Sequence, residues 1–259
     1  MEKINLDGLW QFGFAEGKYA DPLMIPVNSM AAVPSCFDAD PELFGSHGTG
    51  VYRRTVGCEG RVRLTFSGGL FLRIFWDGIE VGKSVLPYTL EDYEFDSGKP
   101  GKHELAIVAD NVLTGTNDEM FKEYYDFYGY GGIYSHVELE KIADETIRRI
   151  QVIPLDYQTG EIEVAVEFPD APETTDITLA FDGGMPEKIS CSGPIRRKVP
   201  NFRLWTPDTP NLHTLTIARN GKSKEVVFGI RTLDWHGGIL RINGQPLRLL
   251  GYCRHEAHP

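Results

Sequence analysis

The stretch EIEVAVEF, residues 161–168, puts Ile162, Val164, Val166 and Phe168 on one side of an extended chain and Glu161, Glu163 and Glu167 on the other. Successive side chains of a strand point to opposite faces, so a period of two marks a strand with one face in a core and one in water. Such strands belong to antiparallel sheets. The pattern recurs. In RVRLTFSG (61–68), Val62, Leu64 and Phe66 oppose Arg61, Arg63 and Thr65, and DITLAFDGG (176–184) repeats it with Ile177, Leu179 and Phe181. Between such runs stand Asp77-Gly78, Asn220-Gly221 and Asn243-Gly244. These dipeptides tolerate the positive φ angles that two-residue hairpin turns require. No stretch of twelve or more residues carries a helical stripe. The nearest, NDEMFKEYYDFY (117–128), is so crowded with aromatics that it reads as one helical turn in a loop. The fold class predicted is all-β, built as sandwiches.

A boundary is expected near residue 142, where SHVELEKI closes one strand system and ADETIRRIQVIP (143–154) opens another. The second system runs to FGIRTL (228–233), a span of roughly ninety residues, the size of an immunoglobulin-like sandwich. The last 25 or so residues are too few for a core of their own and read as the first piece of something larger. The division predicted is therefore 1–142, 143–232 and 233–259.

The chain has 259 residues, 41% of them hydrophobic, enough for a sizeable core. No run approaches the ~20 apolar residues that cross a bilayer. The start, MEKINLDGLWQF, lacks the apolar stretch of a secretory signal, so the expected location is the cytoplasm and no membrane partner is expected. Cys36, Cys58, Cys191 and Cys253 form no C-x-x-C pair, which argues against a disulfide framework and against zinc. The net charge of −11, without a basic stripe, argues against nucleic acid as a partner.

Several blocks in series carry a resemblance: LDGLWQF (6–12), VPSCF (33–37), GTGVYRR (48–54), WDGIEVGKS (76–84), DFYGYGGIY (126–134), LWTPDTPNLHTL (204–215), FGIRTL (228–233) and INGQPLRLLGYCRHEAHP (242–259). Together they resemble the N-terminal part of family 2 glycoside hydrolases, the family of β-galactosidases, β-glucuronidases and β-mannosidases. The resemblance implies a jelly-roll sugar-binding domain, then an immunoglobulin-like sandwich, then a TIM barrel carrying two catalytic carboxylates. A barrel needs ~250 residues, whereas only LRLLGYCRHEAHP (247–259) resembles its first strand and following loop. It also implies a retaining exo-β-glycosidase acting on terminal β-D-glycosides, with no catalytic residue in these 259 residues, which alone are expected to be inactive. A homo-oligomer is expected for the whole enzyme. The DFYGYGGIY form is closer to glucuronidase-like and uronidase-like members than to the large β-galactosidases, and the glycone stays open. The alternative is a non-catalytic carbohydrate-binding or dimerisation module.

Three substrate-binding residues follow from the resemblance. Asp126 matches the family's aspartate six residues before the glycine of Gly132-Ile133, which in relatives helps hold the glycone or a bound sodium ion. No other cofactor is expected. His255 and Glu256 match the family's Arg-His-Glu signature beside the glycone, and Ala257 stands where relatives often carry Asp or His. His255 and His258 without a third partner make weak metal ligands, so no metal site is assigned. FKEYYDFYGYGGIY (121–134) has seven aromatics, whose faces suit the C–H faces of sugars. Tyr124, Tyr125, Tyr128 and Tyr130 are nevertheless expected to pack at a domain interface. Trp205 is expected to plug the second sandwich, and Arg53 and Arg54 to form salt bridges within the first.

Overall fold

A computed structural model describes residues 3–17, 21–84, 86, 88–112, 129–142 and 146–254. Among these, helix is confined to two short 3-10 turns, Pro22–Met24 and Phe37–Ala39, and every strand pairing is antiparallel. The chain divides into two compact units, Met1–Ala143 with Cys253–Pro259, and Asp144–Tyr252.

The first unit contains β1 (Lys3–Asn5), β2 (Gly8–Glu16), β3 (Ser29–Val33), β4 (Ser35–Cys36), β5 (Gly48–Cys58), β6 (Arg61–Phe66), β7 (Phe71–Trp76), β8 (Ile79–Ser84), β9 (Glu91–Asp96), β10 (Gly101–Asp110), β11 (Gly132–Ile133) and β12 (Glu138–Lys141). They form a four-stranded sheet, β1-β12-β6-β9, a six-stranded sheet, β3-β2-β5-β10-β7-β8, and the small pair β4-β11. This is the jelly-roll sandwich. Its core holds Trp10, Phe12, Tyr52, Leu64, Phe66, Ile74, Leu105, Ile107 and Leu139. Each fully buried large side chain contributes ~1.5–3 kcal/mol from water exclusion. Val62, Leu64 and Phe66 face this core, as their alternation requires. On the opposite face of β6, Arg63 is also buried, because Glu94 at 2.6 Å and Glu140 at 3.6 Å close over it.

The six-stranded sheet is covered on its second face as well. Val51, Phe75, Ala106 and Val108 pack there against Ile25, and Arg53 holds that covering segment through the Leu23 carbonyl. Arg53 also pairs with Glu104 at 3.0 Å. Arg54 departs from expectation. It donates to the carbonyls of Leu6 and Asp7 and lies over the Trp10 ring, because it points inward, and among the described residues no carboxylate pairs with it there.

The second unit contains β13 (Arg149–Asp156), β14 (Glu161–Glu167), β15 (Thr175–Phe181), β16 (Glu187–Cys191), β17 (Ile195–Lys198), β18 (His213–Arg219) and β19 (Lys222–Phe228). Sheets β13-β14-β17 and β16-β15-β18-β19 enclose Ile162, Val164, Ile177, Leu179, Leu215 and Ile217. This is the immunoglobulin-like sandwich. Trp205 does not plug it. The ring is half-buried, lies under Arg231 and fills the space beside Gly229.

Three short strands follow: β20 (Leu233–His236), β21 (Ile239–Ile242) and β22 (Gln245–Pro246). Gly237-Gly238, with φ of +60° and +74°, supplies a turn that sets a third strand beside the pair joined at Asn243-Gly244. This small sheet belongs to the second unit, and Asn243 ties it there. Asn243 N–H donates to the Thr232 carbonyl, its Oδ1 accepts Thr232 N–H, and its Nδ2 donates to the Trp205 carbonyl.

Asp77-Gly78, Asn220-Gly221 and Asn243-Gly244 all have φ between +47° and +79°, the left-handed geometry read from their composition. Asp77 also closes a clasp. Its Oδ1 accepts Glu104 N–H at 2.8 Å, its Oδ2 faces His103 Nδ1 at 2.7 Å, and its own N–H donates to the Glu104 carbonyl. The second sandwich repeats this at Asp182 (φ +50°), with Thr214 N–H at 2.8 Å and His213 Nδ1 at 2.7 Å. In both, a turn aspartate welds its hairpin to the neighbouring strand through a His-X pair.

Candidate functional site

The residues singled out from the resemblance, Asp126, His255 and Glu256, lie outside the described residues, as do Tyr124, Tyr125, Tyr128 and the stretch 117–128. The structure describes the root of the aromatic segment instead, and that root is built on one rim of the first sandwich. Gly132 and Ile133 form β11 and pair with Cys36 and Ser35 of β4. Phe37 N–H donates to the Gly131 carbonyl at 2.9 Å, and Gly131 N–H donates to Asp38 Oδ2 at 2.7 Å. Gly69 N–H donates to the Gly132 carbonyl and Tyr134 N–H to that of Ser67, so a second loop grips the same residues.

Glycine is required here by space. A Cβ on Gly131 would stand 2.0 Å from Phe37 Cζ, and one on Gly132, at φ +143°, would stand 2.5 Å from the Ser35 carbonyl oxygen. Phe37 is itself held by Phe12 and Phe14, with ring centroids 6.2 and 5.2 Å away. The other approach to the segment is fixed as well. Asn111, fully buried, accepts Gly48 N–H on Oδ1 and donates from Nδ2 to the Ser46 carbonyl, while His47 Nδ1 reaches the Asn111 carbonyl. Residues 111 and 131 are thus both anchored to the 34–48 stretch.

Aromatic surface is present on this rim. Tyr88 and Tyr134 stack at 5.5 Å with 12° between their planes, and the Tyr134 hydroxyl donates to the Tyr130 carbonyl. Tyr88 is half exposed and offers a ring face to a solute. Burial, with the nearby Asp38 charge, pushes the Tyr88 phenol up. Burial does the same to Tyr134 more strongly, so both stay neutral hydrogen-bonding groups. Tyr52 is fully buried near Cys36 and Asp38. Its hydroxyl has no hydrogen-bond partner among the described residues, and burial holds it protonated. Asp38, 1% exposed, is bonded to Gly131 and turned away from solvent. The rim can orient a loop and present aromatic faces. Proton transfer to a substrate would have to come from other groups.

Phe37, Asp38 and Tyr88 were not legible as rim residues. Asp38 meets Gly131 across 93 positions, and no local pattern announces such a contact. Tyr130, expected to pack, is half-buried. The tail residues 251–254 are exposed, and the described cysteines are free thiols. Among the described residues no group of three or more His, Cys, Asp or Glu is arranged to hold a metal ion, and no helix is long and apolar enough to cross a membrane.

The described residues thus form two sandwiches, the first carrying a rim of glycine-cradled backbone and stacked tyrosines. No protein-family model matches the chain. A β-galactosidase of Aeromonas hydrophila subsp. hydrophila is 26% identical over 98% of this chain, and one of Photobacterium profundum is 25% identical over all of it. Among solved structures, a GH2 β-galacturonidase from Eisenbergiella tayi, bound to galacturonate, superposes over the whole chain with a TM-score of 0.81 at 25% identity. A Faecalibacterium prausnitzii β-glucuronidase superposes over 97% of it with a TM-score of 0.75 at 21% identity, a likeness of fold. Over essentially its whole length the chain is thus similar to part of these β-galactosidases and of the GH2 β-galacturonidase. It spans 27% and 30% of the two β-galactosidases and 48% of the β-galacturonidase chain.

Proposed function

We propose that this chain is the substrate-side scaffold of a retaining exo-β-glycosidase that removes terminal β-D-glycosyl residues, galactosides or uronides, in carbohydrate catabolism in the cytoplasm. The observation that carries the reading is the whole-chain match to β-galactosidases, together with the superposition on a β-galacturonidase. Retention requires two carboxyl groups ~5–5.5 Å apart, one attacking the anomeric carbon and one moving the proton. In this reading both come from a barrel outside residues 1–259. The described rim contributes by aiming the 113–128 stretch, with Asp126 taking a sugar hydroxyl or a sodium ion. His255 and Glu256 stand beside the glycone. The complete enzyme is a homo-oligomer whose partner is carbohydrate.

The test is hydrolysis of a panel of nitrophenyl β-glycosides by the complete reading frame, with the anomer of the first-formed sugar read by NMR. Release of the β-anomer from a galactoside or a uronide is expected. No turnover of any member of the panel, or release of the α-anomer, overturns the proposal. Residues 1–259 alone should show no rate above buffer.

A further inference from the structure

The immunoglobulin-like unit has a cleft of its own, of about 610 Å³, at the seam where β16 edges one sheet and β17 edges the other. An ion pair, Glu187 to Arg197 at 3.0 Å, ties the two edges together across it. Beside that pair the cleft is open, and its floor is core material: Leu179, 2% exposed, and the half-buried ring of Phe181. Met185 stands at the lip, 94% exposed, an unusual position for a large apolar side chain. Two further cations, Lys198 and Arg203, line the cleft; among the described residues neither forms an ion pair, and Lys198 acts on the Asp156 carboxylate through space only. Arg203 acts on Asp182 only through space, helping His213 hold that carboxyl below its ordinary range against the opposing effect of burial.

The lining charges and the apolar floor together narrow the chemistry of a ligand. Arg197, Lys198 and Arg203 face Asp182 and Glu187, an excess of one positive charge. Arg197 is satisfied by Glu187, and Asp182 is committed to His213 and the Thr214 amide. What remains is two cations beside an apolar floor. A phosphate would bring a second negative charge against two nearby carboxylates and gain nothing from Phe181. A neutral sugar would leave both cations unused. A pyranose with one carboxylate satisfies every part. Its carboxylate meets Lys198 and Arg203, its C–H face covers Phe181, and its hydroxyls pair with the Asn201 amide that also lines the cleft.

We propose that this cleft is a second sugar site, selective for a monoanionic pyranose, and separate from the catalytic reaction. It lies within the second unit and needs no barrel, so it stands or falls independently of the glycosidase reading.

The 259-residue chain, labelled with nitrogen-15, is titrated with D-glucuronate, and parallel titrations use D-glucose and inorganic phosphate. Saturable shifts are expected at the amides of 182–187 and 198–203, with a Kd of ~1 mM, typical of a small ligand in an open site. Glucose and phosphate should each bind at least ~10-fold more weakly, and the K198Q/R203Q pair should cost glucuronate a similar factor. Both side chains are exposed and outside any ion pair, so the variant should keep the amide spectrum of the remaining core. If it does not, K198E alone makes the same test. No saturable shift by about 20 mM, shifts confined to other residues, equal binding of glucose or phosphate, or an unchanged Kd in the variant each overturns the proposal.

Discussion

Replacing Gly131 by alanine tests the construction of the rim most directly. The added methyl would stand 2.0 Å from Phe37 Cζ and 2.3 Å from Cε1, far inside van der Waals contact. Phe37 has little room to yield. It is 3% exposed and packed against Phe12 and Phe14, and the Gly131 backbone is held from both sides by Phe37 N–H and Asp38. Forcing one methylene into a filled core costs ~1–3 kcal/mol. For a unit of this size that lowers the melting temperature by roughly 4–12 °C. The assay is thermal unfolding followed by the fluorescence of Trp10 and Trp76, both buried in this unit. Phe37→Leu destabilises the protein by itself, yet it clears the space the new methyl needs. The double variant should therefore melt well above the sum of the two single losses, because contacting residues couple by ~0.5–3 kcal/mol. A G131A protein that melts within about 1 °C of the parent, or a strictly additive double variant, would refute the close-packed root.

Asp182→Ala should destabilise the second unit by ~1–3 kcal/mol, since it orphans the His213 N–H, buried at 1% side-chain exposure, and the Thr214 amide; an unchanged urea midpoint counts against the clasp. In the first clasp the hydrogen bond to Asp77 raises His103 above 6.5, so its contribution is complete below pH 6.5 and fades as pH climbs through the folded value. The same bond lowers Asp77 below 3.8, so that contribution is complete above pH 3.8 and fades as pH falls through the folded value. H103Q should accordingly flatten the slope of stability between about pH 6 and 8, and an identical slope in the variant would show the ring is not coupled. Leu233 and Trp235, 60% and 71% exposed on one face of β20, should make residues 1–259 self-associate; W235S should reduce this in sedimentation, and no change would assign it elsewhere. In the complete enzyme D126N should lower kcat/KM by ~10–100-fold at constant melting temperature, whereas a lower melting temperature with intact kinetics would leave Asp126 a packing residue.

The sequence by itself determined the elements. Val62, Leu64 and Phe66, or Ile162 and Val164, face a core because strand geometry converts a period of two into two faces. Asp77-Gly78, Asn220-Gly221 and Asn243-Gly244 turn the chain because their residues tolerate positive φ, and both effects act between neighbours. The likeness to family 2 glycoside hydrolases was legible as an order of short blocks, and the candidate sugar ligands Asp126, His255 and Glu256 only through that resemblance. Tertiary structure alone decided which distant groups meet. Ile25 covers the second face of Val51 and Ala106, two carboxylates bury Arg63, Asn243 joins the last strands to the second unit, and Asp38 takes the amide of Gly131. Each of these depends on sheet register summed over many strands, and a polar side chain carries no local mark of the backbone group it will find a hundred residues away.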